Sequence, residues 1–263
     1  MCEAHEVKDA PSRKRVLVTG ASSGIGAAFA AWYAKQGYDV VLVGRDTAAL
    51  ELVALSARSC GVTAETLIAD LSRKDGVDRV AERCGVLDAV VCNAGVTHVG
   101  AVGTSDRDHL DELAYLMSAG VVRLCEQVVP AMLTRGTGDV IIVSSIASFT
   151  PMRKASAYAA AKSHATAYAR SLALELSNKG VRVVAVCPGY VRTDLHRRAG
   201  LDHLSRNVPE WMWLTPEDVV DSAQRALHKG RVVVVPGLVY RLVLPFLSSP
   251  LAQGAWRRLT RRR

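Results

Sequence analysis

The chain of 263 residues is 49% hydrophobic and 22% charged, a composition that excludes disordered, collagen-like and low-complexity proteins and can fill one large core. Its net charge of +8 is unevenly spread: residues 1–221 hold 24 Lys and Arg against 25 Asp and Glu, whereas the last 42 residues carry nine basic residues and no acidic ones. A charge-balanced body argues against a nucleic-acid-binding domain and leaves any anionic contact to the tail.

The first ten residues, MCEAHEVKDA, mix both charge signs and contain no apolar run, so a secretory signal is not expected there. The six cysteines are scattered, form no C-x-x-C pair, and several close apolar runs, which fits buried reduced thiols in a cytoplasmic protein. No stretch reads as a membrane span of about 20 apolar residues.

Apolar, β-branched runs then recur with helix-length segments between them: Val16–Thr19, Val40–Val43, Thr66–Ala69, Ala89–Cys92, Val140–Val143, Val181–Val186 and Val232–Val235. They are nearly continuous in hydrophobicity, as strands covered on both faces must be, and so predict an α/β fold, a single doubly wound domain with a seven-stranded parallel sheet flanked by helices. Helices are expected over Gly24–Gln36, stopped by Gly37, and over Ala157–Asn178, stopped by Gly180. Residues 190–215 lack a period and read as a lid over a site, with Trp211 and Trp213 inside it. The domain spans 14–236, and 237–263 forms an apolar, then Arg-rich, tail.

The chemistry-bearing residues cluster at strand ends. After the first strand comes Thr19-Gly20-Ala21-Ser22-Ser23-Gly24-Ile25-Gly26, where glycines allow a tight turn and free N–H groups at a helix start favour a phosphate. Alone, such a turn is equally a simple strand-to-helix connection. It is followed by Cys92-Asn93-Ala94-Gly95 after the fourth strand, Ser145 after the fifth, Tyr158-Ala-Ala-Ala-Lys162 on an Ala-rich helix, and Pro188-Gly189-Tyr190-Val191-Arg192-Thr193 after the sixth. Tyr158 and Lys162, four apart, share one helix face. A cation beside a phenol favours its ionised form, which predicts a tuned acid/base, and Ser145 can bond the same substrate oxygen.

These five ordered motifs resemble those of the short-chain dehydrogenase/reductase family, over about residues 14–236. The resemblance implies a Rossmann-like fold, an NAD(P)-dependent dehydrogenase or reductase acting on CH–OH and C=O groups, and catalysis by Ser145, Tyr158 and Lys162. It implies cofactor binding by Gly20, Ser22, Ser23, Gly24, Ile25, Gly26, Asn93, Ala94, Gly95, Tyr158, Lys162, Pro188, Gly189, Val191 and Thr193. Asp70 matches the family's adenine-contacting aspartate. The chain departs from the family's pattern at Met117, where an asparagine usually supports a proton-relaying water; Ser118 or Tyr115 could substitute, a backbone carbonyl could suffice, or catalysis could be weakened.

The second strand ends in Gly44-Arg45-Asp46, with no acidic residue at the position that would hold a ribose 2′-hydroxyl and a cation, Arg45, beside it. NADP (NADPH) is expected over NAD. The histidines show no ligand spacing, so no metal is expected. Val96, Phe149, Trp211 and Trp213 are expected to line a pocket for a lipophilic small-molecule substrate, placing the protein in lipid metabolism, with a homo-oligomer as an open expectation. The alternative is a dinucleotide-binding module with weak or vestigial catalysis. In the tail, Gly237–Leu247 is apolar and is followed by five arginines after Trp256. It either packs on the sheet edge or a partner subunit, or holds the protein peripherally to an anionic membrane.

Overall fold

The computed structural model describes residues 13–193, 208–247 and 249. Seven strands alternate with helices: β1 Arg15–Thr19, α1 Gly24–Lys35, β2 Asp39–Gly44, α2 Thr47–Arg58, β3 Ala64–Ile68, α3 Lys74–Arg83, β4 Ala89–Cys92, α4 Arg107–Met117, α5 Ala119–Arg135, β5 Gly138–Val143, α6 Ser156–Glu175, β6 Val181–Val186, α7 Pro216–His228, β7 Val233–Val234 and α8 Leu238–Leu247. The sheet order is β3-β2-β1-β4-β5-β6-β7, with every pair parallel. The order reverses between β1 and β4, and the crevice at that switch point is where open α/β sheets bind ligands.

The strand runs are apolar throughout because their alternate side chains enter two different cores. Leu17, Val41, Val90, Val140, Ile142 and Val183 face the layer of α3, α5 and α6, whereas Val16, Val18, Leu42, Val91, Ile141 and Val184 face α1, α2 and α7. Local signals set the helix ends. Thr215 and Asp218 form a reciprocal capping box on α7 with Pro216 in its first turn, and Asp46 caps α2 by accepting from Ala49 N at 3.0 Å.

Three boundaries differ from expectation. β3 begins at Ala64, two residues early, because it is the sheet's edge strand, where only alternate residues are apolar and the run is correspondingly indistinct. α6 ends at Glu175, and the chain turns through Asn178 and Gly180, both with positive φ. β7 keeps two paired residues. The segment 107–135 is long and apolar enough to cross a membrane by length and composition, but it is broken at Ser118 (φ −131°, ψ −85°) and turns Leu124, Cys125, Val128 and Met132 into the core.

Residues 194–207 of the expected lid, and the arginines after Trp256, lie outside the described residues. The start of the tail is placed: Tyr240 on α8 is buried, its hydroxyl accepting from Tyr190 N at 3.0 Å and donating to Met212 O at 2.6 Å. The same helix exposes Leu238, Leu242 and Val243.

Candidate active site

A cleft of about 770 Å³ opens along the carboxyl ends of the strands. The glycine turn forms its base beside β1. Gly20 and Gly24 have φ of +64° and +55°, a region that favours glycine, and a Cβ on Gly24 would sit 2.8 Å from Thr193 Cγ2. A Cβ on Gly26 would lie 2.2 Å from the Gly20 carbonyl oxygen, so Gly26 lets α1 pack under the turn and does not itself line the cleft. The three glycines thus let the turn pack closely on its neighbours beside the N-terminus of a 12-residue helix, whose free N–H groups suit a pyrophosphate.

The Asn93 turn is stitched to this loop. Asn93 Nδ2 donates to Thr19 O at 2.9 Å and Gly20 O at 3.1 Å, while Thr19 Oγ1 accepts from Asn93 N and Ala94 N and donates to Val91 O. The amide therefore fixes one loop against the other.

Arg45 and Asp70 line the far end of the cleft, past β2 and β3. Burial opposes ionisation of Asp70, but hydrogen bonds from Ser72 N and Ser72 Oγ, with the charges of Arg45 and Arg73, outweigh it and hold the carboxyl below its ordinary range. Asp46 spends its carboxylate on the α2 cap, and the direction of a Cβ on Gly44 is met by Leu50 Cδ1 at 3.3 Å.

Ser145, Tyr158 and Lys162 meet in the floor. Ser145 follows β5 and accepts from Ala147 N at 3.1 Å, which starts a 3₁₀ turn. α6 is anchored to β5 by Ser144, whose hydroxyl donates to Lys162 O at 2.9 Å and lies 2.7 Å from Thr166 Oγ1. Sequence reading passed over Ser144, although its neighbour Ser145 was a marked residue. Lys162 is buried, with Nζ donating to Val143 O at 2.9 Å and lying 5.9 Å from the centre of the Tyr158 ring. Burial pushes this ammonium down to about 8. Burial also raises the Tyr158 phenol, only partly offset by a hydrogen bond with Ser145. The phenol is thus held above its usual range by desolvation rather than lowered as expected.

Met117 is buried at the end of α4 among Leu113, Ala161 and Tyr158. A Cβ on Gly95 would lie 3.2 Å from its sulfur and 3.5 Å from Lys162 Nζ. Neither expected substitute serves the lysine: Ser118 Oγ bonds Ala114 O, and the buried Tyr115 hydroxyl has no hydrogen-bond partner. The lysine's acceptor is the Val143 backbone carbonyl.

Every other expected cofactor residue lines the cleft: Gly20, Ser22, Ser23, Gly24, Ile25, Arg45, Asp70, Asn93, Ala94, Gly95, Pro188, Gly189, Val191 and Thr193. Of the expected substrate residues, Val96 lines it and the aromatics do not. Phe149 packs inward on the core under Arg170, whose guanidinium lies 5.7 Å from its ring; Trp213 packs on Tyr190 and Arg192 and bonds Val208 O; Trp211 is 66% exposed. The wall is formed instead by Leu116 at the end of α4 and by Thr97, Val99, Thr150, Met152, Arg153, Ala155 and Tyr190, residues in connections that carry no periodic signal.

Comparison with known proteins agrees with this arrangement. A family model described as short chain dehydrogenase matches residues 14–203. An uncharacterized oxidoreductase of Bacillus subtilis, YmfI, is 32% identical over 236 residues, covering 85% of this chain and 98% of its own. A short-chain dehydrogenase from Sphingobium yanoikuyae, solved in complex with NADPH, superposes with a TM-score of 0.79 at 32% identity, covering 94% of this chain and 95% of that one. The bulky-bulky ketone specific alcohol dehydrogenase from Comamonas testosteroni gives 0.75 at 28% identity, covering 86% of each chain. With the matched model spanning most of the sheet and the switch-point cleft intact, the chain belongs to the short-chain dehydrogenase family, as an oxidoreductase acting on CH–OH and C=O groups.

Proposed function

We propose that the protein is an NADP-dependent oxidoreductase that interconverts a carbonyl and a secondary alcohol on a lipophilic substrate. The observation that carries this reading is the meeting of Ser145, Tyr158 and Lys162 in the floor of one cleft that continues to the glycine turn. Bound NADPH would supply the hydride to the carbonyl carbon. Tyr158, kept protonated by burial, gives its phenolic proton to the carbonyl oxygen, and Ser145 donates a hydrogen bond to that oxygen as charge develops. Lys162 places a donor beneath the phenol's face and, when charged, favours the phenolate left behind.

The NADP preference is supported by Arg45 at the cleft end, by the commitment of Asp46 to its helix cap, and by Leu50 occupying the space beside Gly44. The lipophilic reading is supported by Val96, Val99, Leu116 and Met152 in the wall, and by the Comamonas relative that acts on bulky ketones. The exposed Leu238, Leu242 and Val243 of α8, ahead of five arginines in sequence, support contact of the tail with an anionic membrane surface.

Turnover of a panel of hydrophobic ketones and alcohols, with NADP and with NAD, tests the function. Tyr158→Phe keeps the ring and removes the proton, so it should lower turnover about 10²–10⁴-fold while NADPH binding, followed by fluorescence, persists. Retention of more than about a tenth of the rate would overturn the role of Tyr158. Cofactor binding with no turnover of any substrate would favour the vestigial binding module.

A further inference from the structure

The charges of the cleft are asymmetrically placed. Arg45, Asp46 and Asp70 follow β2 and β3, and Lys162 lies in the floor. On the opposite side of β1 the wall is mostly apolar, with Val96, Val99, Leu116, Met152 and Ala155 beside Thr97, Thr150 and Tyr190. Among the described residues one further cation lines it, Arg153, in the connection between β5 and α6. Among the described residues the lining includes no carboxylate on that side, since Asp46 and Asp70 are the acidic ones. β2 and β5 are three strand spacings apart, about 14 Å, so Arg153 belongs to a different part of the cleft from Arg45.

The segment that carries Arg153 is held in place. Gly100 N donates to Lys154 O at 2.7 Å, tying the connection after β4 to the connection after β5, and Lys154 itself has a φ of +61°. Arg153 and its neighbour Lys154 are both exposed, and Arg153 lines the cleft. Arg153 also makes a contact within the chain. A guanidinium has five donors in a planar fork and can hold more than one partner at once.

Resting on the oxidoreductase reading, we propose that Arg153 recognises a carboxylate on the substrate: an apolar chain whose carbonyl sits at Tyr158 and whose anionic end reaches the rim. The apolar wall accounts for the chain between them, and the fork of Arg153 accounts for a charge-assisted, bidentate hold on the acid. An oxo-carboxylic acid has both ends of this pattern; a neutral ketone of the same length lacks the second.

The test uses the full chain with NADPH and a series of oxo-carboxylic acids in which the carbonyl is moved along the chain, each beside its methyl ester. Wild type should favour the acid over its ester at the matching spacing. Arg153→Gln should lower the acid-to-ester ratio of kcat/KM by about tenfold, from loss of a charged hydrogen bond, and Arg153→Lys should recover part of it. Raised salt should erode the wild-type ratio, because the site is on the rim. Acids no better than esters at every spacing, or a ratio unmoved by Arg153→Gln, would overturn the proposal. Absence of turnover throughout would tell against the oxidoreductase reading instead, and binding then decides the role of Arg153. Titration of NADPH fluorescence with the saturated acid and its ester should show tighter binding of the acid, lost in Arg153→Gln; equal binding of the two would refute it.

Discussion

Lys162 carries a cost that can be measured without any substrate. Its ammonium is buried and bonded to one backbone carbonyl, and no ion pair among the described residues includes it. Burial takes its pKa from 10.5 to about 8. At about 1.4 kcal/mol per pKa unit, the charged lysine lowers stability by about 3 kcal/mol at pH 7. Lys162→Met removes that charge, retains the length of the chain, and forfeits the bond to Val143 O, worth about 1 kcal/mol. The net expectation is a cofactor-free variant more stable by about 2 kcal/mol, or about 4–8 °C in Tm, and devoid of turnover. The pH dependence has a definite sign. Between pH 8 and 10.5 the unfolded chain binds the lysine proton and the folded chain does not, so wild-type stability rises with pH across that window relative to the variant. Thermal or urea unfolding at pH 7 and pH 10 should therefore show the gap closing. A variant less stable than wild type at pH 7, or a gap independent of pH, would refute the reasoning.

Two further outcomes follow from the ends of the chain's charge map. Arg45→Asp should lower NADP-over-NAD selectivity at least about tenfold by repelling a 2′-phosphate, measured as the ratio of kcat/KM values, and an unchanged ratio would make Arg45 structural. A chain ending at Pro250 should pellet far less with anionic liposomes at low salt than the full chain, since each basic residue near such a surface adds about 1 kcal/mol. Equal pelleting of the two, or none of either, would leave α8 as a packing element.

What could be read in the sequence followed from how many constraints each residue carries. The central strands are buried on both faces, so β1, β2, β4, β5 and β6 announce themselves as continuous apolar runs. β3 has one covered edge and its start was misread. The glycine turn was legible because steric limits at Gly20, Gly24 and Gly26 leave few alternatives. The substrate wall was not. Trp211 and Trp213 lie in the expected lid and Phe149 shortly after Ser145, but large aromatic rings gain most by packing against neighbours, as Phe149 and Trp213 do, while Trp211 is exposed. Apart from Leu116 on α4, the residues that line the wall lie in connections, where neither period nor residue type marks an orientation.

Met117 shows how a departure from a family pattern is absorbed by the surrounding structure. A thioether is a weak acceptor, so the side chain behind Gly95 offers Lys162 little hydrogen bonding. Leu113 and Ala161 complete an apolar cluster around the sulfur. The same packing that removes a polar partner from the lysine also desolvates it, which is why its pKa falls. Yet the placement of these side chains does not depend on Met117: Val143 O holds Lys162 Nζ, and Ser144 ties α6, which carries both Tyr158 and Lys162, to β5. A vestigial site would be expected to lose this positioning once it had no use, because a buried, unpaired lysine is costly to keep. A buried lysine kept beneath the ring of Tyr158 despite that cost weighs for catalysis over a vestigial site.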